Sequence, residues 1–127
     1  MPLTEQQQAD FDRRLDLAAS YFDHDSEACE RELLSLLKEP DLPLYDRFTA
    51  QVQLVYNSSS WKRGERWRYD AEKTFQALKK EMAGTASGKE SVALARFLLQ
   101  EIKEWQDEDR PSGGEEGKKK VVARRNR

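Results

Sequence analysis

A short motif that returns after 34 residues constrains the fold of this chain more than any other feature of its sequence. Phe11-Asp12-Arg13 recurs as Tyr45-Asp46-Arg47, and Phe22-Asp23 recurs as Tyr56-Asn57. Self-similarity at a fixed period of this length is typical of an architecture that repeats one supersecondary unit. We therefore expect two related units along the chain.

Apolar residues at helical spacing predict five helices, because positions three and four residues apart share one face of an α-helix. The predicted core-facing sets are, in chain order, Phe11, Leu15, Ala18 and Phe22; Cys29, Leu33, Leu36 and Leu37; Leu44, Phe48, Val52 and Val55; Trp67, Ala71, Phe75 and Leu78; and Leu94, Leu98, Ile102 and Trp105. Each unit is then a pair of helices, followed by a fifth helix.

The second helices of the two units match at a larger offset than the first helices. Cys29, Leu33 and Leu36 correspond to Ala71, Phe75 and Leu78 at an offset of 42 residues, which places an eight-residue insertion between the helices of the second unit. The insertion lies within NSSSWKRGERWRYD, residues 57–70. We expect an expanded turn there, followed by the first turns of the fourth helix.

Polar residues that can cap a helix precede each apolar set. The predicted start signals are a capping box of Thr4 with Gln7, Asp25 or Ser26, Asp41 with Pro43 in the first turn, Ser60, and a second capping box of Ser87 with Glu90. These signals predict all-α architecture without a strand.

A helix-turn-helix unit of about this length resembles the tetratricopeptide repeat. The matching positions are Leu17, Ala18 and Tyr21 in the first helix, Ala71, Phe75 and Leu78 in the second helix of the second unit, and Pro40 near the end of a repeat. Neither first helix has the family's close-packing glycine, and leucines stand where a small residue is expected near the repeat end. The DLPLYDRF junction is also similar to that of small helical-repeat proteins of filamentous fungi, which implies no function.

The resemblance implies a short solenoid or bundle of about five antiparallel helices, in which the fifth helix caps two degenerate units. It also implies binding of a protein or peptide in a groove lined by the first helices. The groove candidates are Arg13, Arg14, Arg47 and Gln51; an ordinary solvated face is the alternative. An array this short also has an exposed end through which a homodimer could form.

Composition divides the chain into an acidic body and a basic tail. We expect a helical domain over residues 1–107 and a disordered tail over 108–127, which is poor in apolar residues. Six of the 22 lysines and arginines lie in the last ten residues, where none of the 24 acidic residues occurs. The basic residues of the tail are Lys118, Lys119, Lys120, Arg124, Arg125 and Arg127. They fit a nuclear-import signal, a nonspecific contact with a polyanion, or a tail without a specific role.

The sequence contains no convincing catalytic or metal-binding motif. GTASGKES, at 84–91, has the wrong glycine spacing for a phosphate-binding loop, and DHDSE, at 23–27, is followed by Ala28 and Leu34 where a calcium loop needs glycine and a carboxylate. The sole cysteine, Cys29, lies on an apolar helical face. We predict a protein that is not an enzyme, binds no cofactor or small-molecule substrate, and acts in the nucleus or cytoplasm without attaching to a membrane.

Basic and aromatic residues are mixed at the start of the fourth helix. At 100° per residue, Lys62, Arg66, Tyr69 and Lys73 fall on one side and Trp67 on the other. Nucleic-acid platforms place stacking aromatic residues and phosphate-binding charges on the same surface, so this face is a candidate for nucleic acid and Trp67 is expected in the core. Tyr69, and Trp61 at the edge of this face, stay open as stacking residues. The sequence thus leaves two hypotheses: a noncatalytic adaptor that binds protein, and a nucleic-acid-associated protein that uses this face and the tail.

Overall fold

A computed structural model describes residues 3–111 of the chain and confirms the predicted all-α fold. The five helices are α1 (Glu5–Tyr21), α2 (Ser26–Leu37), α3 (Leu44–Asn57), α4 (Trp61–Glu81) and α5 (Ala86–Glu108). No β-strand occurs over residues 3–111, and none of the helices there is long and apolar enough to cross a membrane. Most of the predicted tail, residues 112–127, lies outside the described residues.

Helix α3 lies at the centre of the molecule and packs against each of the other four helices. Each helix also packs against the next one along the chain. A short solenoid and a small bundle both have contacts of this kind. The central position of α3 explains why its apolar face is wide: Phe48, Ala50, Val52, Leu54 and Val55 are all buried.

Two large apolar clusters lie on either side of α3, and a small one closes the end of the first helix pair. The first large cluster joins α3, α4 and α5 around Phe48, Phe75 and Ile102. The second joins α1, α2 and α3 around Cys29, Leu33 and Leu54. The small cluster contains Phe11, Leu36 and Leu42. The predicted helix faces therefore form a core, with the exception described next.

One residue of the predicted core lies elsewhere. Leu94 is 51% exposed, because α5 turns Ala95 inward instead, together with Ile102 and Trp105. Trp67 is partly buried, and it packs against both large clusters. Since Ala95 is small, the sequence pattern of α5 did not distinguish it from an exposed alanine.

The eight-residue insertion lengthens a helix and not a turn, which corrects the expected expanded turn. Residues 58–60 alone connect α3 to α4, whereas α4 has 21 residues and α2 has 12. About two additional helical turns therefore extend α4 at its N-terminus. This extension, residues 61–67, packs against the C-terminal end of α5 through the contacts given below.

Three of the predicted caps are confirmed and two are wrong. Thr4 and Gln7 form the reciprocal capping box, Asp25 accepts from the Ala28 amide, and Ser60 accepts from the Arg63 amide. Asp41 does not cap α3, because the buried Leu42 and the extended Pro43 separate it from the helix, which begins at Leu44.

The second predicted capping box, Ser87 with Glu90, does not form. Thr85 caps α5 instead and accepts a hydrogen bond from the Gly88 amide at 2.9 Å. Helix α5 consequently begins at Ala86, with Ser87 inside its first turn. Thr85, two residues before the predicted cap Ser87, thus provides the side-chain-to-amide hydrogen bond that was expected from Ser87.

Candidate binding surfaces

The four groove candidates do not form one exposed surface. Arg13 is exposed and pairs with Asp10 on its own helix at 2.8 Å. Gln51 is only 7% exposed, so its side chain is not accessible to a partner. The structure therefore removes Gln51 from the predicted groove, because α3 is enclosed by helices on most sides.

Arg14 and Arg47 bind α2 and have structural roles. Arg14 donates to the Ser35 hydroxyl at 3.0 Å and lies 3.7 Å from the Glu39 carboxylate. Arg47 donates to the carbonyl oxygens of Leu37 and Glu39, at 3.1 and 3.3 Å. The last carbonyls of a helix lack intrahelical partners, so Arg47 satisfies acceptors at the end of α2.

The α4 basic face, defined as Lys62, Arg66, Tyr69 and Lys73, is exposed as predicted from the sequence. The spacing of these residues places them on one side of α4. Arg66 and Lys73 form no ion pair with a residue of the described chain. This face therefore presents positive charge to solvent.

Tyr69 has the exposure that stacking requires, but one of its neighbours already covers the ring. Its side chain is 56% exposed, and the Arg68 guanidinium lies 4.6 Å from the ring centroid. Arg68 is held there by Glu65, to which it donates two hydrogen bonds at 2.7 and 3.1 Å. A base could therefore stack on the opposite side of Tyr69 only.

Trp61, which the sequence leaves open as a binding residue, connects α4 to α5. Its indole nitrogen donates to the Gln106 carbonyl at 2.8 Å, and the Gln106 amide donates back to the Trp61 carbonyl at 3.1 Å. The Arg110 guanidinium lies 4.9 Å from the Trp61 ring centroid. Arg110 lies beyond the predicted domain end at residue 107, so the packed chain continues past that boundary.

Glu65 lies beneath this contact and completes it. Its carboxylate accepts from Arg68, accepts from Gln106 at 3.4 Å and lies 3.8 Å from Arg110. Burial acts to raise the pKa of Glu65, but the hydrogen bonds and charge of Arg68, helped by Gln106 and Arg110, bring that pKa below its usual value. An ionised carboxylate at this position therefore stabilises the extension of α4.

A polar groove of about 550 Å³ opens between the start of α2 and the turn from α3 to α4. Glu27, Glu30, Arg31 and Arg63 line it, and Arg63 pairs with Glu30 at 2.9 Å. Two acids and two bases leave it without a net charge. The groove has no electrostatic preference for a class of ligand.

The α5 apolar patch consists of Leu94 and Phe97, which are 51% and 59% exposed. These residues are three positions apart and therefore lie side by side on the outer side of the last helix. Covering side chains of this size with a partner removes apolar surface from water, which is favourable. The patch was missed from the sequence because Leu94 was placed in the core and Phe97 belongs to no predicted face.

The α4–α5 pocket lies where the end of α4 meets the start of α5. Its volume is about 310 Å³, and Met82, Ala83, Val92 and Ala93 supply its apolar lining. Its basic lining is Lys79, Lys89 and Arg96. No predicted site residue lines this pocket, because its cations come from two helices and are separated in the sequence.

Two of the cations of the α4–α5 pocket are held over one aromatic ring. The Lys79 ammonium and the Arg96 guanidinium lie 5.4 and 5.6 Å from the centroid of Phe75. Within residues 3–111, no carboxylate lies within ion-pair distance of Lys79, Lys89 or Arg96. The pocket thus combines an apolar lining with positive charge that no described acid neutralises.

The basic tail and possible metal ligands are the last candidates from the sequence. The six basic residues of the tail, 118–127, lie outside the described residues. Over residues 3–111, no group of three or more histidine, cysteine, aspartate and glutamate side chains is arranged to hold a metal ion.

Comparison of the chain with protein-family models, with curated proteins and with solved structures finds no match.

Proposed function

We propose that this chain is a noncatalytic protein-interaction module, a short helical array of two tetratricopeptide-like units and a capping helix, which binds a protein or peptide on the outer side of α5. The observation that carries the proposal is the α5 apolar patch. Removing a leucine or phenylalanine side chain fully from water contributes about 1.5–3 kcal/mol, so a partner that covers both residues gains appreciable affinity.

The contacts of the other candidate surfaces support this choice. Arg14 and Arg47 stabilise the end of α2, and Trp61 connects α4 to α5. Leu94 and Phe97 are packed into none of the three clusters. A surface that does not contribute to folding is the one most available to a partner. Nuclear import through the tail stays a prediction of the same proposal.

A different observation favours a second candidate function, contact with nucleic acid. The α4 basic face presents Arg66 and Lys73 without acidic partners among the described residues, next to the exposed Tyr69. Phosphate contacts of this kind give binding that weakens steeply with salt. Trp61, at the edge of this face, is bound to Gln106 and Arg110. Tyr69, with Arg68 on one side of its ring, is then the aromatic residue of this face left for stacking.

Site-specific photo-crosslinking separates the two functions. In cells that express the full chain, the photoreactive amino acid benzoylphenylalanine is introduced in place of either Phe97 or Tyr69. These two residues have similar exposure. We expect the probe at Phe97 to crosslink to protein, and the crosslink to disappear in a Leu94→Asp background. The same probe at Gln6, on the exposed side of α1, measures random contacts.

Crosslinking of nucleic acid at Tyr69, with no protein above background at Phe97, would replace the proposed function by the second candidate. Background levels at both positions would contradict both functions. Leu94 and Phe97 are exposed, so neither substitution removes a side chain from the core.

A further inference from the structure

We propose that the α4–α5 pocket binds an acidic segment of the partner protein, which inserts one large apolar side chain into the pocket and places carboxylates on Lys79, Lys89 and Arg96. The inference rests on the proposed function and adds the chemistry of the partner. It follows from three properties of the pocket: its charge, its lining and its size.

Charge is the first property. Lys79 and Arg96 are both held close to the Phe75 ring, and Lys89 lies in the first turns of α5. Attraction to the ring offsets part of the repulsion between two cations, but it does not neutralise them. The first turn of α5 contains no acidic residue, so the positive end of the helix dipole adds to the same field. An anionic group placed among these cations is favoured by all of them.

The lining decides which class of anion fits. Met82, Ala83, Val92 and Ala93 offer no donor or acceptor from their side chains to the edge of a base. They do offer an apolar surface, and Phe97 of the α5 apolar patch lies one helical turn after Ala93, on the same side of α5. A segment that alternates acidic with large apolar residues satisfies both the cations and this surface, whereas a nucleic acid satisfies only the cations.

Size limits what enters the pocket. A volume of about 310 Å³ is at the lower end of ligand pockets, which span about 300–1,000 Å³. One large side chain fits such a space better than a whole cofactor does. The rest of the segment would then extend over Phe97 and Leu94, which accounts for the exposure of these residues within one binding site.

A defined peptide tests the inference directly. The probe is a fluorescein-labelled peptide with a central Leu-Phe pair flanked on both sides by aspartate and glutamate, and its binding to the full chain is measured by fluorescence polarisation. We expect affinity to fall about tenfold or more when the acids become asparagine and glutamine, and again when Leu-Phe becomes Ala-Ala.

Substitutions in the protein locate the binding site. Lys89→Glu should weaken the acidic peptide about tenfold, whereas Lys73→Glu, the same change on the α4 basic face, should not. Both lysines are exposed, so both variants should fold. Ala93→Phe, which fills the pocket from an exposed position, should weaken the peptide without changing its dependence on salt.

Several outcomes would overturn the inference. They are equal affinity for the acidic and neutral peptides, equal effects of Lys89→Glu and Lys73→Glu, and tighter binding of polyuridylate RNA at the same cations. If Phe97 crosslinks to a protein as strongly in the Lys89→Glu variant as in the wild type, the proposed function stands and only the chemistry of the partner is wrong. If crosslinking at Phe97 fails while the peptide binds at Lys89, the pocket is a binding site but the α5 apolar patch is not.

Discussion

At the scale of single residues, Glu65 is the side chain whose charge contributes most visibly to the fold. Glu65 is only 8% exposed, yet its carboxylate stays ionised because Arg68, Gln106 and Arg110 surround it. Asp46 shows the opposite behaviour: burial raises its pKa, and the hydrogen bond from Gln8 offsets only part of that effect. The two acids should therefore respond to pH in opposite directions.

Replacing Glu65 by glutamine should make the stability of the protein less sensitive to acid. The pKa of Glu65 in the folded chain lies below its ordinary value of 4.5, so ionised Glu65 stabilises the fold above that pH. This contribution is lost as the pH falls below that value and through the folded pKa. We expect Glu65→Gln to lower the free energy of unfolding by about 1–3 kcal/mol at neutral pH, measured by urea denaturation.

The difference between wild type and Glu65→Gln should shrink as the pH falls below 4.5 and through the lowered pKa of Glu65 in the folded chain, since the wild-type side chain then loses the charge that glutamine also lacks. Asp46→Asn is the matched control with the opposite sign. Because burial raises the pKa of Asp46, its ionised form destabilises the folded protein. Acidification removes this destabilisation in the wild type, whereas the Asp46→Asn variant carries no charge at this position at any pH. A Glu65→Gln difference that is the same at all pH values would show that the ionisation of Glu65 contributes nothing.

At the scale of helices, the sequence predicted which segments are helical better than it predicted where they end. All five helices and the caps at Thr4, Asp25 and Ser60 are confirmed, because hydrophobic periodicity and capping are local properties. Helix ends depend on tertiary contacts as well. The buried Leu42 keeps Asp41 away from α3, and Gln106 of α5 binds the start of α4, where the sequence predicted an expanded turn before the helix.

Candidate sites were harder to predict than helices, for the same physical reason. The α4 basic face was predicted because a single helix carries it. The α4–α5 pocket combines Lys79 with Lys89 and Arg96, which meet only when two helices pack. Gln51 and Arg47 were both predicted to line a binding groove. Neighbouring helices bury Gln51, and Arg47 donates instead to backbone carbonyls at and just beyond the end of α2.

The junction between α4 and α5 requires glycine at position 88 but not at position 84. A Cβ atom added to Gly88 would lie 2.2 Å from the Met82 carbonyl oxygen and 2.6 Å from the Thr85 hydroxyl, whereas one added to Gly84 meets nothing within 4 Å. We expect Gly88→Ala to destabilise the fold by about 1–3 kcal/mol, because backbone must move. Gly84→Ala should be neutral, or should stabilise by about 0.4–1 kcal/mol through the unfolded state.

Thermal and urea unfolding of the two glycine variants provide the measurement. Each variant adds one methyl group, and the two positions are four residues apart in the same junction, so Gly84→Ala controls for general effects of alanine. Equal stabilities would mean that Met82 and Thr85 move away at no cost and that the close approach of α4 to α5 is not required.

At the scale of the whole molecule, the two large clusters are connected and should unfold together. Tyr56 and Trp67 pack against both of them, and α3 contributes buried side chains to each. Tyr56 also contacts Trp105 of α5, with ring centroids 5.0 Å apart. The half-buried position of Trp67 is thus explained by its place between the clusters, a role that the repeat pattern alone does not predict.

Hydrogen exchange can measure this coupling. Leu33→Ala in the α1–α2–α3 cluster and Ile102→Ala in the α3–α4–α5 cluster each remove a fully buried side chain and should cost about 2–5 kcal/mol. If the molecule is one cooperative unit, each variant should lose the same free energy of protection in the most protected amides of α1 and of α5. If Ile102→Ala instead lowers protection in α4 and α5 alone, these two helices open independently of the rest of the fold. The contacts of Trp67 would then be too weak to couple the two halves.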